Sequence, residues 1–158
     1  MASTSFIPIV GLIRDIQDMS EDCCSQMITI VSPEQEAHFV ISPDTDVIDS
    51  IPLRRGMQVA AFYDANVPVP LIFPPQYQAV LITRLEWGES VMLSRFNQDL
   101  VSEQNTLQLN VARNTRITTV NGQRFRCPLE NRELLVYYSA TTRSIPPQTT
   151  PRRIVVMC

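Results

Sequence analysis

The sequence predicts an all-β protein made of two OB-like or half-barrel repeats fused into one compact domain. Three observations predict it. Short runs rich in Val, Ile, Leu, Tyr and Phe recur throughout, proline outnumbers glycine by 12 to 4, and three segments of the first half recur in order in the second. Such runs, bounded by Pro, Asp, Asn or Gly, read as strands. Proline removes a backbone donor and fixes φ, so its abundance disfavours long helices and favours strands joined by stiff loops.

Taken in order, the expected strands cover residues 9–17 (IVGLIRDIQ), 26–32 (QMITIVS), 36–42 (EAHFVIS), 57–64 (MQVAAFYD) and 78–86 (QAVLITRLE). The second set covers 90–96 (SVMLSRF), 106–111 (TLQLNV), 115–126 with an internal turn, 133–139 (ELLVYYS) and 152–157 (RRIVVM). Asn121-Gly122 is the best turn signal, because a type I′ hairpin needs positive φ at both central residues. Helical periodicity leaves room for only a turn or two, at 18–25, 46–53 or 98–104.

The sequence repeats itself, and a repeat bears on the fold before any short motif does. FVISPDTDVI at 39–48 aligns with LNVARNTRIT at 109–118, setting Thr45 on Thr115 and Ile41 on Val111. Further along, Phe62-Tyr63 falls on Tyr137-Tyr138, and Pro74-Pro75-Gln76 on Pro146-Pro147-Gln148. The expected organisation is therefore a single domain over 1–158, with repeats at about 9–86 and 79–157 that share the strand near 79–86. Each repeat has about five strands with a longer connection between the third and fourth, a pattern like the OB barrel. A double proline makes a rigid polyproline lead-in that aims the next strand. Pro74-Pro75-Gln76-Tyr77 also spells the PPxY ligand of WW domains. The second copy lacks the tyrosine, which favours a structural role.

Composition narrows the function classes. The net charge of −3, with 13 arginines and no lysine, gives no general attraction to nucleic acid or anionic membranes, though a local arginine patch stays open. No stretch reaches the roughly 20 apolar residues of a spanning helix. The opening MASTSFIPIVGLIRD lacks a basic signal-peptide start, so a cytoplasmic setting, or a chain already trimmed of its leader, is expected. Cysteines at 23, 24, 127 and 158 form neither a CxxC pair nor a secreted framework and are expected as free thiols.

Catalytic and metal chemistries lack their usual residues. His38 is the only histidine, which excludes a two-histidine metal site within one chain. It is expected near Ile30 across a hairpin, with Cys23 and Cys24 roughly 20 Å away at about 3.3 Å per residue. Cys23-Cys24 follows two acids that disfavour thiolate. Asp44, Asp46 and Asp49 resemble an oxygen-ligand loop, yet the matching positions are Asn114, Arg116 and Thr119. Phosphate-loop, nucleophile-elbow and zincin motifs are absent, so no metal, cofactor or catalytic residue is assigned and an enzyme is the least favoured class.

YDANVPVPLIFPPQYQA, RFNQDLVSEQNTLQLNV, NGQRF and SIPPQTTP resemble a group of small, functionally uncharacterised β-rich proteins of Gram-positive anaerobic bacteria. The resemblance covers about Phe6 to Val156 and implies a β-rich bacterial protein, with no activity, cofactor or site residue attached. The expected function is a non-enzymatic binding or structural module acting on a protein partner or on itself. The alternative is a single-stranded nucleic-acid or oligosaccharide binder on an OB-like face, with nucleic acid the less expected ligand. Candidate contact residues are Val69, Leu71, Phe73, Tyr77, Phe62 and Tyr137. The apolar segment 67–73 is expected to be buried, between halves or between subunits, because an exposed run of this kind makes a sticky patch.

Overall fold

A computed structural model of the chain describes residues 5–158. Its elements are strands, with one 3-10 turn at Ile48–Ser50 and no α-helix among the described residues. The chain divides into two compact units, one ending at Glu86 and the other spanning Trp87–Cys158. Each is described by itself.

The first unit contains β1 (Phe6–Met19), β2 (Asp22–Val31), β3 (Glu36–Ile41), β4 (Asp46–Val47), β5 (Gln58–Asp64), β6 (Gln76–Gln78) and β7 (Leu81–Arg84). They form one mixed sheet in the order β4-β7-β5-β1-β2-β3-β6, open in strand order. β1 and β2 make a long hairpin where 18–25 left room for a helical turn. The strand expected over 78–86 is two pieces, β6 and β7, interrupted at Ala79-Val80. Both partners of β7, namely β4 and β5, belong to this unit.

The second unit contains β8 (Ser90–Phe96), β9 (Gln108–Leu109), β10 (Arg116–Thr119), β11 (Arg132–Tyr138), β12 (Gln148–Thr149) and β13 (Arg153–Val156). Four of these form a sheet in the order β10-β13-β11-β8, while β12 and β9 pair separately. None of the sheets is closed into a barrel. Asn121-Gly122 does not make the expected type I′ turn, since only Gly122 has positive φ, at 92°. Thr119 N–H donates to Gln123 O and Gly122 N–H to Thr119 O, which leaves a three-residue hairpin loop with glycine in the left-handed position.

Registers correspond between the units. His38 pairs Gln76 as Gln108 pairs Gln148, and Asp46 pairs Leu81 as Arg116 pairs Arg153, both in parallel. Val59 pairs Arg84 as Leu134 pairs Val156, and Leu12 pairs Gln58 as Arg95 pairs Glu133, both antiparallel. Thr45 and Thr115 show why the sequences match there. Each buried hydroxyl donates to a carbonyl far along the chain, Ala79 O and Pro151 O, at 2.8 Å. Each also accepts a backbone N–H three residues before it, from Ser42 and Ala112. An unpaired hydroxyl or amide there would carry a full desolvation cost, which makes threonine the fitting residue.

The first core gathers Ile9, Ile13, Ile28, Ile30, Phe39, Val59 and Ile82, while the second gathers Phe96, Leu107, Leu109, Leu134, Val136, Ile154 and Val156. Gly11 lets β1 approach β2: a Cβ built there would collide with Val31 O. Because the obstacle is backbone, relief requires the strands to separate. Gly11→Ala is expected to cost about 2 kcal/mol by overpacking, read as a lower denaturant midpoint at unchanged slope.

Candidate binding site

The prolyl connection between β5 and β6 is held at both ends. At its start Val67 N–H donates to Asp64 O and Asn66 N–H to the Asp64 carboxylate. At its end His38 N–H donates to Pro75 O at 2.8 Å, which stitches the double proline to the edge of β3. Proline at 68, 70, 74 and 75 removes backbone donors and stiffens the segment between these anchors.

Beneath the loop, Tyr63 of β5 and Tyr77 of β6 stack with ring centres 3.9 Å apart and planes 15° from parallel. Buried Phe39 supports both rings, at 5.3 Å from Tyr77 and 6.4 Å from Tyr63. A cleft of about 160 Å³ opens beside them, walled by Val67, Val69, Pro70, Gln76 and Val80 among others. Burial lifts the Tyr63 phenol above its ordinary range, and the neighbouring Tyr77 pushes the same way. Both effects disfavour the Tyr63 phenolate, and the stacked rings make a largely apolar platform.

The segment 67–73 is exposed in the single chain, so of the expected burial between halves or between subunits only contact with a second copy is left as a proposal. Leu71 is 103% accessible and Phe73 92%, while Val67, Val69 and Ile72 are all exposed. Anchors at Asp64 and Pro75, with prolines between, keep the tip from folding back, so its side chains project. The second unit carries a counterpart that its polar sequence concealed. Ile145 is 94% accessible and stands immediately before Pro146, as Phe73 stands before Pro74; both X–Pro bonds are cis.

The six expected contact residues thus separate. Val69 and Tyr77 line the cleft, and Leu71 and Phe73 form the tip. Phe62 and Tyr137, at 0% and 1% accessibility, are core residues with no contact surface to offer. Strand alternation means that one member of each aromatic pair is buried, and the more accessible members are Tyr63 and Tyr138. Tyr63 was missed for that reason; the signal for it was its place next to fully apolar Phe62, with a hydroxyl to keep near solvent. Tyr77 lies in β6 paired with Phe39, so the PPxY stretch is part of a sheet rather than a free polyproline ligand.

Elsewhere His38 lies opposite Thr29, one residue from the Ile30 expected, because β2 and β3 pair in that register. Cys23 and Cys24 lie on β2, and all four cysteines are free and exposed. Among the described residues, no three His, Cys, Asp or Glu side chains gather as metal ligands. No helix among them is long and apolar enough to cross a membrane. What the fold and the site define is a two-unit β protein with a projecting apolar loop. Comparison with family models, characterised proteins and solved structures finds no match to this chain.

Proposed function

We propose that the chain is a non-enzymatic docking module, built by duplication of an OB-like unit, that associates with a second copy of itself through its apolar prolyl tips. The observation that carries the docking reading is the full exposure of Leu71 and Phe73 on a loop anchored at both ends. A soluble surface rarely displays such a group without a use for it. Rigid anchoring lowers the entropy lost when the tip is bound, which favours a contact over a flexible linker.

Pairings within each unit support the OB-like part. In the first, β1 pairs β2, β2 pairs β3, β3 pairs β6 in parallel, β7 pairs β5 and β5 pairs β1. β3 and β4 follow one another closely, as do β6 and β7, and β4 also pairs β7 in parallel. If each of those two successions is counted as one bent strand, five strands complete a circuit, with the third parallel to the fifth. The matched registers of the second unit support duplication. Four free thiols support a cytoplasmic setting within the same reading.

Sedimentation over a range of protein concentrations tests the docking. The parent should show reversible association. Leu71→Ser with Phe73→Ser should weaken it by about 100-fold or more, since each apolar side chain is worth about 2 kcal/mol when buried. Because both side chains are exposed in the single chain, the melting temperature should hold within about 0.5 kcal/mol of stability. A parent that stays monomeric, or a variant that associates as the parent does, overturns the reading.

A further inference from the structure

The whole-chain charge hides a partition between the units. Residues 1–86 carry 4 arginines against 11 Asp and Glu, whereas residues 87–158 carry 9 arginines against 5. The first unit is therefore net −7 and the second net +4. Within the second unit the positive charge is concentrated at one edge of the sheet.

Edge strand β10 and the hairpin that follows it wall an open groove of about 740 Å³. Arg113, Arg116, Arg124 and Arg126 line it together with Asn114 and Phe125, and no carboxylate lines it. Alternation and register account for the clustering. Arg116 and Thr118 share one face of β10 and Thr118 bridges Arg124, which brings Arg124 beside Arg116, and Arg126 lines the same groove two residues further on. Arg153 of neighbouring β13 is paired in register with Arg116 and donates to Thr118 Oγ1 at 2.9 Å. A buried cation therefore stands behind the exposed ones. Arg113, Arg116, Arg124 and Arg126 are all exposed. Among the described residues, no carboxylate pairs with any of the four.

We propose that this groove binds the phosphodiester backbone of single-stranded nucleic acid. Like charges held together in a groove with no acid beside them raise the local positive potential and draw in an anion. Guanidinium is the group suited to phosphate, because its planar fork binds two oxygens at once. Arg113, Arg116, Arg124 and Arg126 are spread along one groove rather than gathered at a point, so a linear polyanion meets them in succession where a lone phosphate cannot. The site is concave and carries Phe125 in its wall, with the Arg132 guanidinium 5.1 Å from that ring. A concave edge of this kind admits one strand and excludes the convex face of a duplex, and an aromatic wall offers a base something to stack on. The site is separate from the apolar tip of the first unit and does not depend on its role.

The test is fluorescence anisotropy of a labelled oligothymidylate titrated with the full chain. Binding should weaken with salt at a logarithmic slope of about −3, the value for four contacts to a single strand. A variant with Arg113, Arg116, Arg124 and Arg126 replaced by Gln should lose binding at least tenfold at low salt. Arg54→Gln with Arg55→Gln, in the first unit, should bind as the parent does. Should the fourfold variant fail to fold, Arg124→Gln and Arg126→Gln singly should each reduce the slope by about 0.7. A parent that does not bind, a fourfold variant that binds equally, or a duplex bound as tightly as the single strand overturns the proposal. Salt-sensitive self-association that the fourfold variant abolishes, without oligonucleotide binding, also overturns it and assigns the groove to the acidic unit of another copy.

Discussion

Phe39→Ala is expected to lower the stability of the first unit by about 4 kcal/mol, the cost typical of emptying a buried aromatic site. Phe39 is fully buried, sits in the core with Ile28, Val59 and Ile82, and supports both rings of the Tyr63–Tyr77 stack. Its removal leaves a cavity that strands on either side cannot fill without breaking their register. In a unit of this size the loss corresponds to a fall of roughly 20 °C in melting temperature. Near-ultraviolet circular dichroism should change as well, because the stacked tyrosines lose their floor. A melting temperature within a few degrees of the parent's would mean that Phe39 is not the core's central side chain.

Arg152→Ala is expected to cost about 2 to 3 kcal/mol in the second unit. The Arg152 guanidinium grips Glu89 with two bonds, Nε to Oε2 at 2.6 Å and Nη2 to Oε1 at 2.8 Å. The Glu89 side chain is only 7% accessible while that of Arg152 is 43%. Breaking a fully buried pair costs about 3 to 5 kcal/mol because the remaining charge is stranded, and the partial exposure of Arg152 places this pair below that range. The guanidinium also lies 5.4 Å over the Tyr137 ring, a contact the alanine forfeits. Replacing both partners, Glu89→Gln with Arg152→Met, should recover most of the loss, since no buried charge is then left alone. Chemical denaturation of the three proteins reads the difference directly. If the double variant is no more stable than Arg152→Ala, the stranded carboxylate is not the cause.

The sheet was legible in the sequence wherever a strand buries an apolar run. VAAFY and LLVYY are apolar on both faces and form the central strands β5 and β11. The short strands were not: β4 and β12 hold two residues each, too few for any period to register. Thr45 and Thr115 could be matched by eye, but their shared hydrogen bond to a carbonyl 34 or 36 residues away could not. At the candidate site the apolar composition of 67–73 was visible, and its exposure was not, because burial depends on anchors such as His38 N–H to Pro75 O that lie far off in sequence. The arginine groove was missed for a different reason. Averaging charge over 158 residues cancels an acidic unit against a basic one, and the partition appears only once the boundary after Glu86 is known.

Matched registers in neighbouring units of one chain create a hazard of exchange. During folding a strand from one unit meets in the other a partner of the same polarity, as β3 with β6 and β9 with β12 are both parallel pairs, and sequential units of one chain are prone to such misassembly. The divergence of the two cores acts as a guard. Ala37, Phe39 and Ala61 pack together in the first unit, where the corresponding positions of the second hold Leu107, Leu109 and Val136. At these three positions the first unit holds one large ring and two alanines, and the second holds three branched side chains of middle size. A swapped β3 would set Phe39 against Val136 and overfill the second core, while a swapped β9 would set Leu109 against Ala61 and leave the first short of volume. Both errors are costly, so each strand is recognised by the bulk of its own side chains rather than by its backbone pairing.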